Sequence, residues 1–219
     1  AKFMLSRAIR DAGYKVALTG EGADEMLMGY AHLRQDFAGD AGATALLASN
    51  QVSAGLMLPC DGGLPPELSE VQHMLGHVPS YLRAKEEMTR PLRALLRPEL
   101  RGPEAARQSL RALLARCPRE QLDGRAPHHV SQYLWTRHVL AGYILRTLGD
   151  GSEMANGVEG RPPFLDHQLF EFCRSLPPQM LLRGLRDKYV LREAMRGTVP
   201  GAILDREKHP FLLPPLAAR

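Results

Sequence analysis

Cysteine is scarce and oddly counted: Cys60, Cys117 and Cys173 are widely spaced, with no C-x-x-C pair. That argues against a disulfide scaffold and for a reducing, cytoplasmic setting. Long apolar runs are missing too, the longest falling short of the roughly 18 residues that a membrane span needs. The opening residues lead straight into a helical pattern, so a secretory leader is not expected there. No initiator Met stands at position 1 either, so the sequence reads as a piece cut from something longer. Charge of one sign is only slightly in excess, since 28 Lys and Arg against 24 Asp and Glu leave a net +4. That balance suits anionic small molecules such as nucleotides and gives no case for DNA or RNA. A Gly-x-Ser-x-Gly elbow and a Gly-Lys-Ser/Thr phosphate loop are both absent, which leaves a serine hydrolase and a P-loop enzyme unsupported. His73 and His77 have helical ligand spacing without a third ligand, so zinc is not expected.

What is present is an ordinary globular composition over 219 residues, 44% hydrophobic and 24% charged, long enough for a real core. Residues 1–36 read as helix, strand, glycine turn and helix. Phe3, Leu5, Ile9 and Ala12 have helical spacing and Gly13 follows as a C-cap. Lys15 to Thr19 is a short apolar run of strand length, ended by Gly20 and Gly22. A second helical pattern opens at Asp24 with acids in its first turn. Residues 37–102 form a variable, mostly helical excursion, with weak periodicity around Ala43 to Leu58 and a possible helix over Tyr81 to Leu96. Residues 103–219 are helical and better patterned: Pro103 at an N1 position, an amphipathic helix over Val130 to Leu148, and Asp166 and Asp187 as N-caps. The class is α/β by its strand motif and mainly helical by residue count.

Three stretches can carry chemistry. In Thr19-Gly20-Glu21-Gly22-Ala23-Asp24-Glu25, two glycines let the backbone turn tightly and approach a ligand. Three carboxylates within five positions would repel a bare phosphate, so the stretch makes sense for a nucleotide only if a hard cation such as Mg²⁺ bridges acid to phosphate. Asp24 is the best ligand for it. The other reading is an acidic, capped turn in solvent. In the second stretch, Asn156 to Asp166, Glu159 and Arg161 lie in a loop fixed by glycine and proline between apolar helices. They are expected at a crevice, where a Glu beside an Arg keeps its charge and can orient a substrate or take a proton. A structural ion pair is the alternative. The third stretch holds Lys188 and Arg192, then Asp205-Arg206-Glu207-Lys208-His209-Pro210-Phe211. Its basic residues can clamp phosphates or neutralise developing charge, although Lys188 and Arg192, four apart, also read as a solvated stripe.

Taken together, Val16–Tyr30, Met154–Phe172 and Lys188–Phe211 resemble, in order, the synthetase domain of the asparagine synthetase family, glutamine-dependent amidotransferases that activate a carboxylate with ATP. The resemblance implies a partial adenine-nucleotide alpha-hydrolase-like (ATP-pyrophosphatase) domain and an ATP-dependent, amide-forming ligase. It assigns Asp24 to Mg²⁺ on the ATP pyrophosphate, and Gly20, Glu21 and Gly22 to the loop lining the acyl-adenylate site. Glu159 matches a catalytic glutamate, and Lys208 matches a lysine that contacts phosphate and stabilises developing charge. Arg161 and Asp166 are expected to fix the loop. The family's Ser-Gly-Gly-x-Asp-Ser loop and its glutaminase half have no counterpart in this sequence. By itself, therefore, the stretch is expected neither to bind ATP well nor to turn over. The partners implied are an aspartate-like or natural-product carboxylate, a glutaminase domain or subunit that supplies ammonia, and further copies of the chain in a homo-oligomer. The alternative is a non-catalytic scaffold subunit of such an amidotransferase.

Overall fold

The computed structural model describes residues 1–48, 63–184 and 186–206. They fold into two compact units, one built from Ala1–Gly29 and Trp135–Arg219, the other from Tyr30–Leu134. Among the described residues, no helix is long and apolar enough to cross a membrane. Helices predominate and the sheet is small, so the expected class, α/β by one motif and helical by count, is what is observed.

The first unit opens with α1 (Lys2–Asp11), which ends before Gly13 at φ 87°. The strand β1 (Val16–Leu18) follows and pairs in parallel with β2 (Glu159–Arg161), with Val16 opposite Glu159 and Leu18 opposite Arg161. Two more backbone bonds extend the ladder, Glu159 N–H to Lys15 O and Thr19 N–H to Arg161 O. The pairing brings the first and second chemical stretches side by side at the carboxyl ends of two parallel strands, where open α/β sheets place their ligands.

The helix expected after the glycine turn is short. α2 (Ala23–Met26) has four residues, and Met28 turns into the left-handed region at φ 54°. The amphipathic helix expected over Val130–Leu148 changes winding on the way: it is α-helical over Pro127–Leu134 and takes a wider, π-type winding over Trp135–Gly151. Asp166 caps the helix His167–Ser175 as expected, accepting from Gln168 N and Leu169 N at 2.9 and 3.1 Å. Asp187 does not cap. Lys188 stands at the N-cap of Tyr189–Ala194 with φ 50°, and the Asp187 carboxylate is committed to Arg192 instead.

In the second unit, the helical stretch Ala31–Ala48 is broken at Gly39 by φ 66°. The helices Ser69–Leu75, Ser80–Thr89, Pro103–Leu114 and Pro127–Leu134 complete it. The helix expected to run to Leu96 gives way at Thr89 to tighter 3₁₀ turns over Arg90–Leu95, where Pro91 removes a backbone donor. Leu33, Leu68, Val71, Tyr81, Val130 and Leu134 form the core. Inside it, Asp36 accepts from Ser80 N at 3.1 Å and from the Ser80 and Ser131 hydroxyls. Burial pushes the Asp36 carboxyl above its ordinary value, although these donors oppose the shift. Pro103 sits at the first turn of its helix, as the sequence indicates.

Candidate functional site

The glycine turn after β1 is built by close packing. Gly22 has φ 94°, and a Cβ there would overlap the Leu165 side chain, so the turn is seated directly on the Pro163–Leu165 turn of the second stretch. A side chain at this position would meet both strain and collision. Gly20 is exposed with open space around it.

Behind the turn, Asp24 and Lys188 form an ion pair with Lys188 Nζ 2.7 Å from Asp24 Oδ1. The two side chains are largely buried, at 15% and 19% exposure. Gly29 closes the corner, because a Cβ there would overlap both the Asp24 carboxylate and Lys188 Cε. The Lys188 backbone N–H donates to Leu27 O at 3.2 Å, which fixes that residue against the α2 segment. Met28 and Lys188 are the non-glycine residues with positive φ among those described, and both belong to this corner. Left-handed backbone costs roughly 1 kcal/mol or more per residue, and such strain concentrates at functional sites. Lys188 is therefore not part of a solvated stripe. Nor is Arg192, whose guanidinium bonds the Asp187 carboxylate at 2.6 Å and the carbonyls of Asp187, Leu204 and Arg206.

Glu21 lies one step back along the turn. Lys2 Nζ on α1 donates to its carboxylate at 2.6 Å and stands 3.4 Å from Glu153. Burial works to lower the Lys2 pKa, but the Glu21 hydrogen bond and the charges of Glu21 and Glu153 outweigh it and hold the ammonium above its ordinary value. Glu153, which stands just outside the second stretch, is buried, and its carboxylate occupies the space a Cβ on Gly160 would need. Glu25 points inward, accepting from Trp135 Nε1 at 3.3 Å.

Glu159 and Arg161 are brought to the same side of β2 by the two-residue strand period. They pair with each other at 2.8 Å and are exposed, at 56% and 60%, and do not sit at the crevice expected between apolar helices. The reason is the strand itself: residues two apart on a strand point to one face, and here that face is open. The Arg161 hydrogen bond holds the Glu159 carboxyl below its usual range. Lys208 lies outside the described residues.

The donor set at the corner can be tested for a metal. Among the described residues no group of three or more His, Cys, Asp or Glu side chains gathers in ligating positions. Mg²⁺ needs no such group, since it is commonly held by one or two carboxylates together with substrate phosphates and water. One carboxylate beside one ammonium, backed by strained backbone and a glycine, is a donor set that could hold a magnesium-phosphate group, Asp24 for the ion and Lys188 for phosphate oxygens. A four-residue α2 contributes little dipole, so the side chains carry the electrostatics.

Comparison with known families now decides the kinship, because residues 1–218 match Asparagine synthase. The chain belongs to the asparagine synthase family. Relatives include Amidase chyE of Penicillium rubens, 30% identical over 97% of this chain and 34% of that protein. Amidase chry2 of Gibberella zeae is 33% identical over 43% of this chain and 16% of that protein. Asparagine synthetase [glutamine-hydrolyzing] 1 of Bacillus subtilis is 26% identical over 91% of this chain and 30% of that protein. The chain thus spans about a third or less of the length of these relatives. No solved structure shows a significant match. The resemblance read from three short stretches is a membership that covers nearly the whole chain.

Proposed function

We propose that this asparagine synthase-family chain is the carboxyl-terminal, ATP-handling part of an amide-forming ligase, on an adenine-nucleotide alpha-hydrolase-like scaffold. The observation that carries the reading is the largely buried Asp24–Lys188 pair behind the glycine turn that follows β1, a turn whose Gly22 is seated on Leu165. A carboxylate and an ammonium side by side in a partly dry corner suit a magnesium-bound polyphosphate. When bound, Mg²⁺ neutralises phosphate charge and aids departure of pyrophosphate.

In the proposed reaction a substrate carboxylate oxygen attacks the α-phosphorus of ATP. The bond from that phosphorus to the bridging oxygen breaks and pyrophosphate leaves. Ammonia then attacks the acyl carbon of the adenylate, AMP departs, and the nitrogen loses a proton as the amide forms. Lys188 holds phosphate oxygens, and Asp24 beside it meets the metal. Gly22 lets the turn approach the nucleotide. Glu21, tied to Lys2, keeps its charge out of the phosphate path. Glu159, kept ionised by Arg161, is suited to orient the incoming nitrogen rather than to act as a strong base. Lys208 takes the late-lysine role of stabilising charge at the reacting phosphorus. Ammonia comes from a glutaminase domain or subunit, and amide-bond chemistry accords with the printed names of the amidase and asparagine synthetase relatives.

The test is carboxylate-dependent exchange of labelled pyrophosphate into ATP by the natively encoded polypeptide, across a panel of acids. Exchange that depends on one acid and on Mg²⁺ supports adenylation. No exchange with any acid rejects it.

A further inference from the structure

The first unit holds a cavity of about 510 Å³ next to the Asp24–Lys188 corner, with Lys188 itself in the wall. Its size is that of a small-molecule site. The rest of the wall is mainly apolar: Phe164 from the second stretch, Leu191 and Met195 around the helix Tyr189–Ala194, and Val199, Ile203 and Leu204 beyond it. Two features break the apolar surface. Arg206 contributes a guanidinium with no ion-pair partner among the described residues. Asp187, only 4% exposed, contributes a carboxylate of which only one oxygen is used. Arg192 bonds Oδ1, while Oδ2 is buried without a hydrogen-bond partner. A buried acceptor left unmet is destabilising, and a ligand donor arriving there relieves it.

The charge balance says what kind of donor. Lys188 is paired with Asp24 and Arg192 with Asp187, which leaves the Arg206 guanidinium as the uncompensated charge in the wall among the described residues, so an ammonium would meet net repulsion. A neutral N–H or O–H bonds Oδ2 without that cost, and an anionic end is drawn to the cationic groups. We infer that this cavity is the acyl-substrate site, and that it takes a carboxylic acid with an apolar body and a neutral hydrogen-bond donor, an N-acylated or hydroxylated apolar acid, in preference to a small polar diacid such as aspartate. The inference rests on the ligase reading for what happens to the acid, and on the cavity alone for which acid binds.

The test measures binding to this chain by ligand-observed NMR, with N-acetyl-L-leucine, its N-methyl analogue and L-aspartate as probes. N-acetyl-L-leucine binds at least about tenfold more tightly than aspartate, because burying its isobutyl group is worth about 1.5 kcal/mol or more. N-methylation weakens binding about fivefold, since it removes the donor for Asp187 Oδ2. Asp187→Asn erases that difference between the two leucine derivatives. Filling the cavity with Val199→Trp, or from the rim with Ile203→Trp should the first variant lose its far-ultraviolet circular dichroism, abolishes binding. Aspartate binding as tightly as N-acetyl-L-leucine, or a folded filling variant with unchanged affinity, overturns the inference. Binding of magnesium pyrophosphate to the natively encoded polypeptide is measured alongside. Acyl-probe binding without pyrophosphate binding rejects the ligase reading and keeps the ligand class, and the reverse result rejects the ligand class alone.

Discussion

The Asp24–Lys188 pair can be weighed by a double-mutant cycle, with Asp24→Asn, Lys188→Met and the combined variant. Two unit charges 2.7 Å apart attract by about 6 kcal/mol at an effective dielectric near 20. Both groups keep some contact with solvent, at 15% and 19% exposure, and taking them that far out of water offsets most of the attraction. The expected coupling is about 1–3 kcal/mol, above the 0–1 kcal/mol of an exposed pair. Lys188→Met alone costs about 3 kcal/mol, because it takes the ammonium away from a largely buried carboxylate. Methionine keeps the unbranched stem and leaves the left-handed backbone at that position as it is. The protein supplies its own reporter. Trp135 is the single tryptophan, is 2% exposed, and bonds Glu25 beside Asp24 in the same unit. Its fluorescence during urea unfolding therefore follows this unit, and the cycle is read from the four midpoints and slopes. Coupling below about 0.5 kcal/mol would refute the claim that the corner is a partly dry electrostatic site.

Other consequences are equally specific. Gly22→Ala should cost about 2–4 kcal/mol by the same fluorescence assay, from positive φ and collision with Leu165, whereas Gly13→Ala, with φ 87° and open space, costs about 1 kcal/mol. Equal costs would mean that the turn is not packed on the second stretch. The Lys2 ammonium has its pKa raised in the folded unit, so the stability it adds is fully present below the ordinary value of 10.5 and is lost as pH rises beyond it. Urea midpoints should fall more steeply above that pH for the wild type than for Lys2→Met, and parallel curves would remove the Lys2–Glu21–Glu153 link. His128 in the second unit is pushed down to about 4 by burial and by the neighbouring His129 charge. The folded unit therefore resists charging it, and stability is lost as pH falls from 6.5 toward 4. Protection factors of the helix Pro127–Leu134, taken relative to the intrinsic exchange rate at each pH, should fall over that window in the wild type and less in His128→Gln; identical profiles would contradict the assignment.

The local elements of the first unit were legible in the sequence because they obey local rules. The spacing of Phe3, Leu5 and Ile9 gives α1, the apolar run before two glycines gives β1, and Asp166 caps its helix with its own side chain. The partners in the site were less legible, because they meet only in three dimensions. Nothing near Lys188 in the chain shows that its ammonium reaches Asp24, and its spacing from Arg192 suggests a solvated stripe that the fold does not build. Glu153 is hidden for the same reason, announced only by Gly160, whose missing side chain makes room for it. The glycines and prolines around Glu159 and Arg161 suggest a fixed loop, and strand geometry turns the two residues together onto an open face. Two non-glycine residues with positive φ, Met28 and Lys188, leave no mark in composition or periodicity, yet they mark the corner most clearly in the structure.

The central claim is that Asp24 and Lys188 hold a magnesium-bound polyphosphate, and calorimetric titration of the natively encoded polypeptide with pyrophosphate tests it most directly, with and without Mg²⁺. The wild type should bind only when Mg²⁺ is present, Asp24→Asn should lose the response to the metal, and Lys188→Met should bind at least about tenfold more weakly. Pyrophosphate binding that ignores Mg²⁺, or that survives both substitutions unchanged, would contradict it.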